Sequence, residues 1–156
     1  KSQMSKAEKA IITALCMIYK DDRILLQNKV SGWVGLTFPG GHIEKEESFV
    51  LGIKREIFEE TGLLINNPKL CGLKQFQTED DERYIVIFFK TNEFKGELKS
   101  SDEGEMVWMK RSELNENNVA KGFLDTLKVF DDDNITELMY ERHKTDDEFE
   151  WILKFY

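Results

Sequence analysis

The sequence predicts an α/β (α+β) fold, an α/β/α sandwich in which helices cover a mixed β-sheet. Two observations favour it. Most apolar segments have the length of a strand and are bounded by short turns rich in Asp, Asn and Gly. Only two stretches, one central and one late, carry the three- and four-residue apolar spacing of a helix. In a chain of 156 residues, this pattern is typical of one layered domain.

The N-terminal part predicts a hairpin that follows an irregular segment. Residues 1–9 are polar and aperiodic, so we expect them to be disordered or a remnant of cloning, and the folded domain to span 10–156. Ile11–Tyr19 is a continuous apolar run of strand length. Two aspartates then supply a turn, and Arg23–Lys29 continues as the second arm.

The central helix is predicted from about Glu46 to Thr61. Val50, Ile53 and Ile57 recur at three- and four-residue steps and would form one apolar stripe. Gly62 follows at the position where a helix commonly ends in a left-handed residue. A glycine-rich loop precedes this helix.

The second half predicts further strands and one more helix. Strands are expected at Lys69–Thr78, Arg83–Asn92, Glu105–Lys110 and Ile135–Arg142. The second helix is expected at Asn118–Phe130, and the apolar tail FEWILKFY should pack against the domain or form a dimer interface. Either a monomer or a homodimer is compatible with these features.

Composition excludes several classes of protein. The formal net charge of −8 argues against binding to a nucleic acid polymer, which requires a basic surface. No apolar run approaches the roughly 20 residues needed to span a membrane, so a cytoplasmic location is expected. The two cysteines, Cys16 and Cys71, lie in apolar runs and are predicted to be buried thiols.

Three carboxylates are predicted to share one face of the central helix. At about 100° per residue, Glu60 lies at about +40° and Glu59 at about −60° from Glu56. Clustered like charges destabilise a helix unless a cation compensates, and hard oxygen ligands suit Mg²⁺ or Mn²⁺. Arg55 stands four residues before Glu59 and can pair with it, while Gly52 allows other groups to approach closely.

The segment GHIEKEESFVLGIKREIFEETGL, residues 41–63, resembles the Nudix box, G-x5-E-x7-R-E-U-x-E-E-x-G-U with U an aliphatic residue. The chain matches it at every fixed position: Gly41, Glu47, Arg55, Glu56, Ile57, Glu59, Glu60, Gly62 and Leu63. The preceding LTFPGG and the later EGEMVWMKRSEL are also similar to MutT-type members, so the resemblance covers about Ile11 to Leu114.

The resemblance implies both a fold and a chemistry. The fold is the Nudix fold, an α/β/α sandwich around a mixed sheet in which the box forms a loop–helix–loop. The cofactor is Mg²⁺, with Mn²⁺ as the alternative. Metal ligands are expected at Gly41, Glu47, Glu56, Glu59 and Glu60.

Four residues are expected to take part in catalysis. Glu59 or Glu60 would share in the activation of water, and Arg55 would orient a glutamate. In MutT-like relatives a further glutamate from a later loop completes the site. Glu103 and Glu105 are both available, and Glu103 is preferred because a Glu-Gly pair before a strand resembles those relatives.

Substrate contacts are harder to predict. Four aromatic residues could stack on a nucleobase, although their strand-like surroundings favour the core: Trp33, Phe38, Phe76 and Trp108. Phe38 is retained as a candidate, together with Asn115 and Asn118, which lie where MutT relatives carry base-reading groups. His42 and His143 are expected to be loop and surface residues.

The resemblance implies a metal-dependent hydrolase of nucleoside triphosphates, 8-oxo-dGTP among them, that releases a nucleoside monophosphate and pyrophosphate. ADP-ribose, NADH or another nucleoside diphosphate derivative is the alternative substrate. A non-catalytic nucleotide-binding domain is the alternative from another class, and such domains often have a degraded box. Here the box is intact.

Overall fold

The computed structural model describes residues 6–156. In this part of the chain the elements follow one another in the order β1 Ala10–Lys20, β2 Arg23–Lys29, β3 Gly35–Thr37, β4 Gly40–His42, α1 Phe49–Thr61, β5 Leu63–Asn66, β6 Lys69–Gln77, β7 Arg83–Thr91, β8 Glu93–Gly96, β9 Gly104–Lys110, α2 Phe123–Asp131, β10 Glu137–Thr145 and β11 Glu148–Phe155. A single 3₁₀ turn at Arg111–Glu113 follows β9.

The predicted mixed sheet is confirmed. Its strands run in the order β11-β10-β6-β7-β1-β2-β3, with β4 paired to β1 and β9 paired to β2. β1 is parallel to β7 and β10 is parallel to β6, whereas β6 and β7 form an antiparallel pair. β5 and β8 form a separate two-stranded sheet.

Both faces of β1 are buried, which explains its continuous apolar sequence. Ala14, Cys16 and Ile18 pack with Ile53 and Ile57 of α1. The alternate residues of β1 point to the other face and pack with α2: Leu15, Met17 and Tyr19. The helices therefore cover opposite faces, and the predicted α/β/α sandwich is confirmed.

The predicted hairpin exists only near its turn. β1 and β2 pair at Tyr19↔Ile24 and Lys20↔Arg23, and Asp21 adopts the positive φ of 55° that the turn requires. Beyond Ile24, β2 no longer pairs with β1, whereas all seven of its residues pair with β9. Further along β1, residues Thr13–Leu15 pair with β4 instead.

Helix α1 begins at Phe49, three residues later than predicted. Glu46 has a φ of 67°, which is incompatible with a right-handed helix, and the Ser48 side chain caps the helix by accepting the Leu51 N–H at 3.2 Å. Val50 is 41% exposed, so it does not belong to the apolar stripe. The predicted end at Gly62 is confirmed by its φ of 80°.

Helix α2 also begins later than predicted, at Phe123 rather than Asn118. The preceding residues are extended: Leu36 donates to the Asn118 carbonyl at 3.1 Å and accepts from the Ala120 N–H at 2.9 Å. Gly122, with a φ of 83°, then turns the chain into the helix.

The remaining strands agree with the sequence prediction in part. β6, β7, β9 and β10 lie within one to three residues of their predicted bounds, and the apolar tail packs against the domain as β11, whereas β4, β5 and β8 were not predicted. Of the polar N-terminal segment, residues 1–5 lie outside the described part, and Glu8 pairs with Arg83 at 2.9 Å. In residues 6–156, no helix is long and apolar enough to cross a membrane.

Candidate active site

A cleft of about 500 Å³ lies between the box segment, one face of the sheet and the start of α2. Its two ends differ in chemistry. One end carries carboxylates, contributed by Glu56, Glu59 and Glu60 of α1 and by Glu103. The other end carries Trp33, Lys74 and Tyr84.

The carboxylates converge as the helical spacing predicted. Glu60 is 8% exposed and accepts a hydrogen bond from Gln27 Nε2 at 2.8 Å. Burial, followed by the neighbouring Glu103 carboxyl, raises the pKa of Glu60 to about 7. Burial also raises the pKa of Glu56, against the opposing effect of Arg55. At this end of the cleft, the ionised forms of Glu56 and Glu60 are therefore less favoured than in a free glutamate.

Arg55 organises the box through hydrogen bonds to both the loop and the helix. Its Nε and Nη2 form a bidentate pair with Glu47 at 2.7 and 2.9 Å. Nη1 donates to Glu56 at 3.0 Å and to Glu59 at 2.9 Å, and Nη2 donates to the His42 carbonyl at 3.1 Å. The predicted Arg55–Glu59 pair is present, and one guanidinium fixes side chains from both segments.

Glu47 faces Arg55 and the box loop. One of its oxygens also accepts the Glu44 N–H at 2.9 Å. The hydrogen bonds from Arg55 and then from the Glu44 backbone lower the pKa of Glu47 to about 2. Glu47 also lies against Gly52, where an added Cβ would be 2.9 Å from a carboxylate oxygen of Glu47. The close approach predicted for Gly52 is therefore present.

Gly40 and Gly41 lie in β4 and allow close contact with β1 and with the Glu56 side chain. A Cβ at Gly40 would lie 2.0 Å from the Ala14 carbonyl oxygen, and a Cβ at Gly41 would lie 2.3 Å from a carboxylate oxygen of Glu56. The first contact is with backbone, which cannot move aside. The second is with the end of a side chain, so Gly41 leaves the space into which the Glu56 carboxylate fits.

The sequence matches a known family over most of its length. The model of the NUDIX domain family matches residues 9–130. The chain belongs to the Nudix family. Its carboxylate-lined cleft is therefore that of a Nudix hydrolase, a family that acts on pyrophosphate bonds and generally uses divalent metals.

Relatives of this Nudix chain carry different substrate names. It is 33% identical to an ADP-ribose pyrophosphatase of Methanocaldococcus jannaschii over 122 residues, 74% of this chain and 68% of that protein. It is 30% identical to an 8-oxo-dGTP diphosphatase of Haemophilus influenzae over 113 residues, 69% of this chain and 82% of that protein. Family membership alone therefore does not select a substrate.

The fold agrees with solved Nudix structures. The crystal structure of a MutT protein from Bacillus halodurans superposes with a TM-score of 0.72 and 31% identity, over 92% of this chain and 97% of that one. The mixed sheet and the two helices are thus those of the Nudix fold.

The donor atoms around the cleft fit a divalent cation. Within residues 6–156, no three acidic, histidine or cysteine side chains already surround one point, because Arg55 draws Glu47, Glu56 and Glu59 toward itself. The groups that face the cleft are nevertheless hard carboxylate oxygens, and those of Glu56 and Glu60 have raised pKa values. Carboxylate oxygens of this kind are the ligands that Mg²⁺ prefers.

Of the two later glutamates, Glu103 lies at the cleft and interacts with both Glu56 and Glu60. It belongs to the turn before β9, where its N–H donates to Ser101 Oγ at 3.3 Å. Glu105 lies on β9 opposite Asn28, is exposed and does not line the cleft.

The candidate substrate residues are distributed differently from the prediction. Phe38 lines the cleft but is 1% exposed, with its ring 4.8 Å from those of Phe123 and Phe130. Asn115 and Asn118 do not line the cleft. The Asn118 amide accepts the Asn115 N–H at 3.0 Å and donates to the Glu113 carbonyl at 2.9 Å, so it stabilises its own loop.

Trp33 is the aromatic residue that sequence reasoning misplaced. Its strand-like surroundings favour the core, yet it is 51% exposed and lines the cleft. Phe76 and Trp108 pack as expected, against Tyr84 and Phe94 respectively. His42 lies at the cleft in the box loop, and His143 is a surface residue 2.7 Å from Glu141.

Replacing Gly41 with alanine should separate activity from stability. The new methyl group would displace the Glu56 carboxylate, a flexible group, so we expect a fall in Tm of only a few degrees. Misplacing that carboxylate should lower kcat/KM by about 100-fold. Gly40→Ala is the matched comparison, because its clash with the Ala14 carbonyl should destabilise the fold itself. Full activity in Gly41→Ala would contradict the role given to this space.

Proposed function

We propose that the protein is a divalent-metal-dependent hydrolase of nucleoside triphosphates that releases a nucleoside monophosphate and pyrophosphate. The observation that carries the proposal is the convergence of Glu56, Glu60 and Glu103 on one end of a cleft long enough for a nucleotide. 8-oxo-dGTP is the first substrate to test, since an 8-oxo-dGTP diphosphatase is among the relatives.

Glu56 and Glu60 are the proposed metal ligands, together with the Gly41 carbonyl, and Glu103 completes the site from the opposite side. A divalent cation held there would neutralise phosphate charge and lower the pKa of water. The side chains of Glu56 and Glu60 are largely buried and lie beside further carboxylates, which favours a bound cation. Glu47 was also expected as a ligand, but its oxygens are taken up by Arg55 and the Glu44 N–H, which supports a role in fixing Arg55.

Glu59 is the proposed acceptor of the proton from the attacking water. Of the two glutamates considered for this role, Glu60 is buried and is already proposed as a metal ligand, whereas Glu59 is half-exposed and can pass a proton to solvent. Arg55 holds Glu59 through Nη1 and thereby sets its orientation. Arg55 is thus a positioning residue for Glu59, Glu56 and the loop.

The substrate class is tested by measuring hydrolysis of a nucleotide panel with Mg²⁺ or Mn²⁺ and separating the products by chromatography. The panel contains 8-oxo-dGTP, dGTP, ATP, ADP-ribose and NADH. Metal-dependent release of nucleoside monophosphate from a triphosphate is the expected result. Preference for ADP-ribose would support the second candidate, which is favoured by the similarity to the ADP-ribose pyrophosphatase of M. jannaschii. Tight nucleotide binding without turnover of any member would overturn the proposal.

The metal-free protein should lose stability as the pH rises. The pKa of Glu60 is raised from 4.5 to about 7 in the folded protein, so the protonated form is favoured by folding. The corresponding stability is present below pH 4.5 and is lost as the pH rises through about 7. We expect Tm without metal to fall by a few degrees between about pH 5 and 8, and Mg²⁺ to restore more of it at the higher pH.

Thermal unfolding of Glu60→Gln provides the check. This variant should show a flatter dependence of Tm on pH and a smaller increase in Tm with Mg²⁺. Glu105→Gln, which makes the same change on β9 outside the cleft, should behave as the wild type. An unchanged pH dependence in Glu60→Gln would show that another group is responsible.

A further inference from the structure

The end of the cleft opposite the carboxylates contains a lysine that has no anionic partner in the described part of the chain. Lys74 projects from β6, and its Nζ lies 4.9 Å from the centroid of the Trp33 ring and 5.9 Å from that of Tyr140. Within residues 6–156, its ammonium group makes no hydrogen bond or ion pair. Burial lowers the pKa of Lys74. A half-buried ammonium group with three free donors is costly unless something else accepts its hydrogen bonds.

The position of Lys74 relative to the box follows from strand register. His42 pairs with Thr13, Thr13 with Val86, and Val86 with Lys74, so these four residues form one row across β4, β1, β7 and β6. All four line the cleft. Three strand spacings separate the box loop from Lys74, roughly 14 Å. This row leads from the carboxylate end to Lys74 along the floor of the cleft.

Trp33 supplies a flat apolar surface beside Lys74. It lies in the loop between β2 and β3, is half-exposed, and touches the edge of the Tyr84 ring with centroids 6.0 Å apart. Tyr84 is in turn stacked on Phe76 at 5.3 Å. A half-exposed aromatic ring can stack on a planar ligand.

We propose that Trp33 and Lys74 form the base-recognition end of the cleft, and that Lys74 selects 6-oxopurines by donating to the O6 oxygen. The inference rests on the proposed function in one respect: the phosphates occupy the carboxylate end, which leaves the base at Lys74. A 6-oxopurine presents two adjacent acceptors, N7 and O6, to a cationic donor. Adenine presents an amino group where the oxopurine has O6, and that donor opposes the ammonium group.

Inosine and adenosine nucleotides form the test pair, because they differ at position 6 of the purine. Hydrolysis of ITP and ATP is measured as kcat/KM, and binding of IMP and AMP is measured by calorimetry with Mg²⁺ present. The wild type should prefer the inosine nucleotide by about 10- to 100-fold in both measurements, the range expected for a hydrogen bond to a charged donor.

Three variants distinguish the contributions of the two residues. Lys74→Met should reduce the preference for inosine over adenosine nucleotides to within about threefold, because only the binding of the inosine nucleotides is weakened. Lys74→Gln should shift the preference toward adenine, since a glutamine amide can pair with its N6 and N7 atoms. Trp33→Ala should weaken the binding of inosine and adenosine nucleotides equally, by about tenfold, because stacking depends little on base identity.

Lys99→Met is the matched control. Lys99 also lies over an aromatic ring, with its Nζ 5.9 Å from the centroid of Phe58, but it does not line the cleft. The preference of Lys99→Met for inosine over adenosine nucleotides should therefore equal that of the wild type. Thermal unfolding of Lys74→Met should give the same or a higher Tm, because methionine has no charge to desolvate. If that variant fails to fold, Lys74→Gln carries the same test.

The binding measurements with IMP and AMP separate this inference from the proposed function. Tighter binding of IMP than of AMP that Lys74→Met abolishes, without hydrolysis of any triphosphate, would sustain the inference and overturn the proposed function. Hydrolysis of ITP and ATP at equal rates, with a ratio unaffected by Lys74→Met, would overturn the inference alone. Equal weakening of IMP binding and AMP binding by Lys74→Met would also overturn the inference, since Lys74 would then contact a part common to both nucleotides.

Discussion

Replacing Glu59 with glutamine is expected to lower kcat on the best nucleotide substrate by about 10³-fold, with little change in KM. The glutamine side chain keeps its length and can still accept a hydrogen bond from Arg55, which lies 2.9 Å from the carboxylate. It cannot take a proton from the attacking water, and general base catalysis of this kind contributes roughly 10²- to 10⁴-fold.

Glu46→Gln is the control for Glu59→Gln. It makes the same chemical change on an exposed residue of the box loop that does not line the cleft, and it should retain wild-type kcat. Steady-state kinetics of both variants at saturating Mg²⁺ gives the comparison. A Glu59→Gln enzyme within about threefold of the wild type would show that another group accepts the proton, and Glu103 would be the next residue to replace.

Arg55→Lys is expected to reduce kcat/KM by about 100-fold although the positive charge is retained. The guanidinium donates to Glu47 through two nitrogens and also to Glu56, Glu59 and the His42 carbonyl. An ammonium group has three donors and cannot reproduce this planar arrangement. Carboxylates released from their orientation should be misplaced by about an ångström, which costs on the order of 10²-fold.

Arg83→Lys provides the matched control for this change. Arg83 also forms a bidentate pair, with Glu8, and does not line the cleft. Its replacement should leave kcat/KM unchanged. If Arg55→Lys retained full activity, the orientation of these glutamates by Arg55 would not matter for the reaction.

The carboxylate end could be predicted from the sequence because its geometry is local. Glu56, Glu59 and Glu60 lie within five residues of one helix, so helical periodicity alone brings them to one face. The left-handed residue at Gly62 is equally local. Glu103 comes from a distant loop, and resemblance to relatives, rather than periodicity, identified it.

Other features depended on interactions that periodicity does not report. The late start of α1 follows from the backbone of Glu46 and the cap at Ser48. The late start of α2 follows from the pairing of Leu36 with Asn118 and Ala120. A sequence pattern predicts that a helix exists more reliably than where it begins.

The base-recognition end could not be predicted because it depends on long-range pairing. Lys74 reaches the cleft only because β6 joins β7 and β7 joins β1. A lysine in a strand is ordinarily a solvent-facing residue, and nothing nearby in the sequence distinguishes Lys74 from Lys69 or Lys90. Trp33 resembles a core residue in composition, and its position at the cleft follows from the loop that carries it.

The most direct test of metal-dependent pyrophosphate release is a phosphate assay carried out with and without added inorganic pyrophosphatase. The wild-type protein is incubated with the best triphosphate from the panel and Mg²⁺, and the reaction is repeated with Glu59→Gln. We predict a phosphate signal from the wild type only when pyrophosphatase is present, and almost none from the variant. Phosphate released without pyrophosphatase, or equal signals from both proteins, would contradict the account.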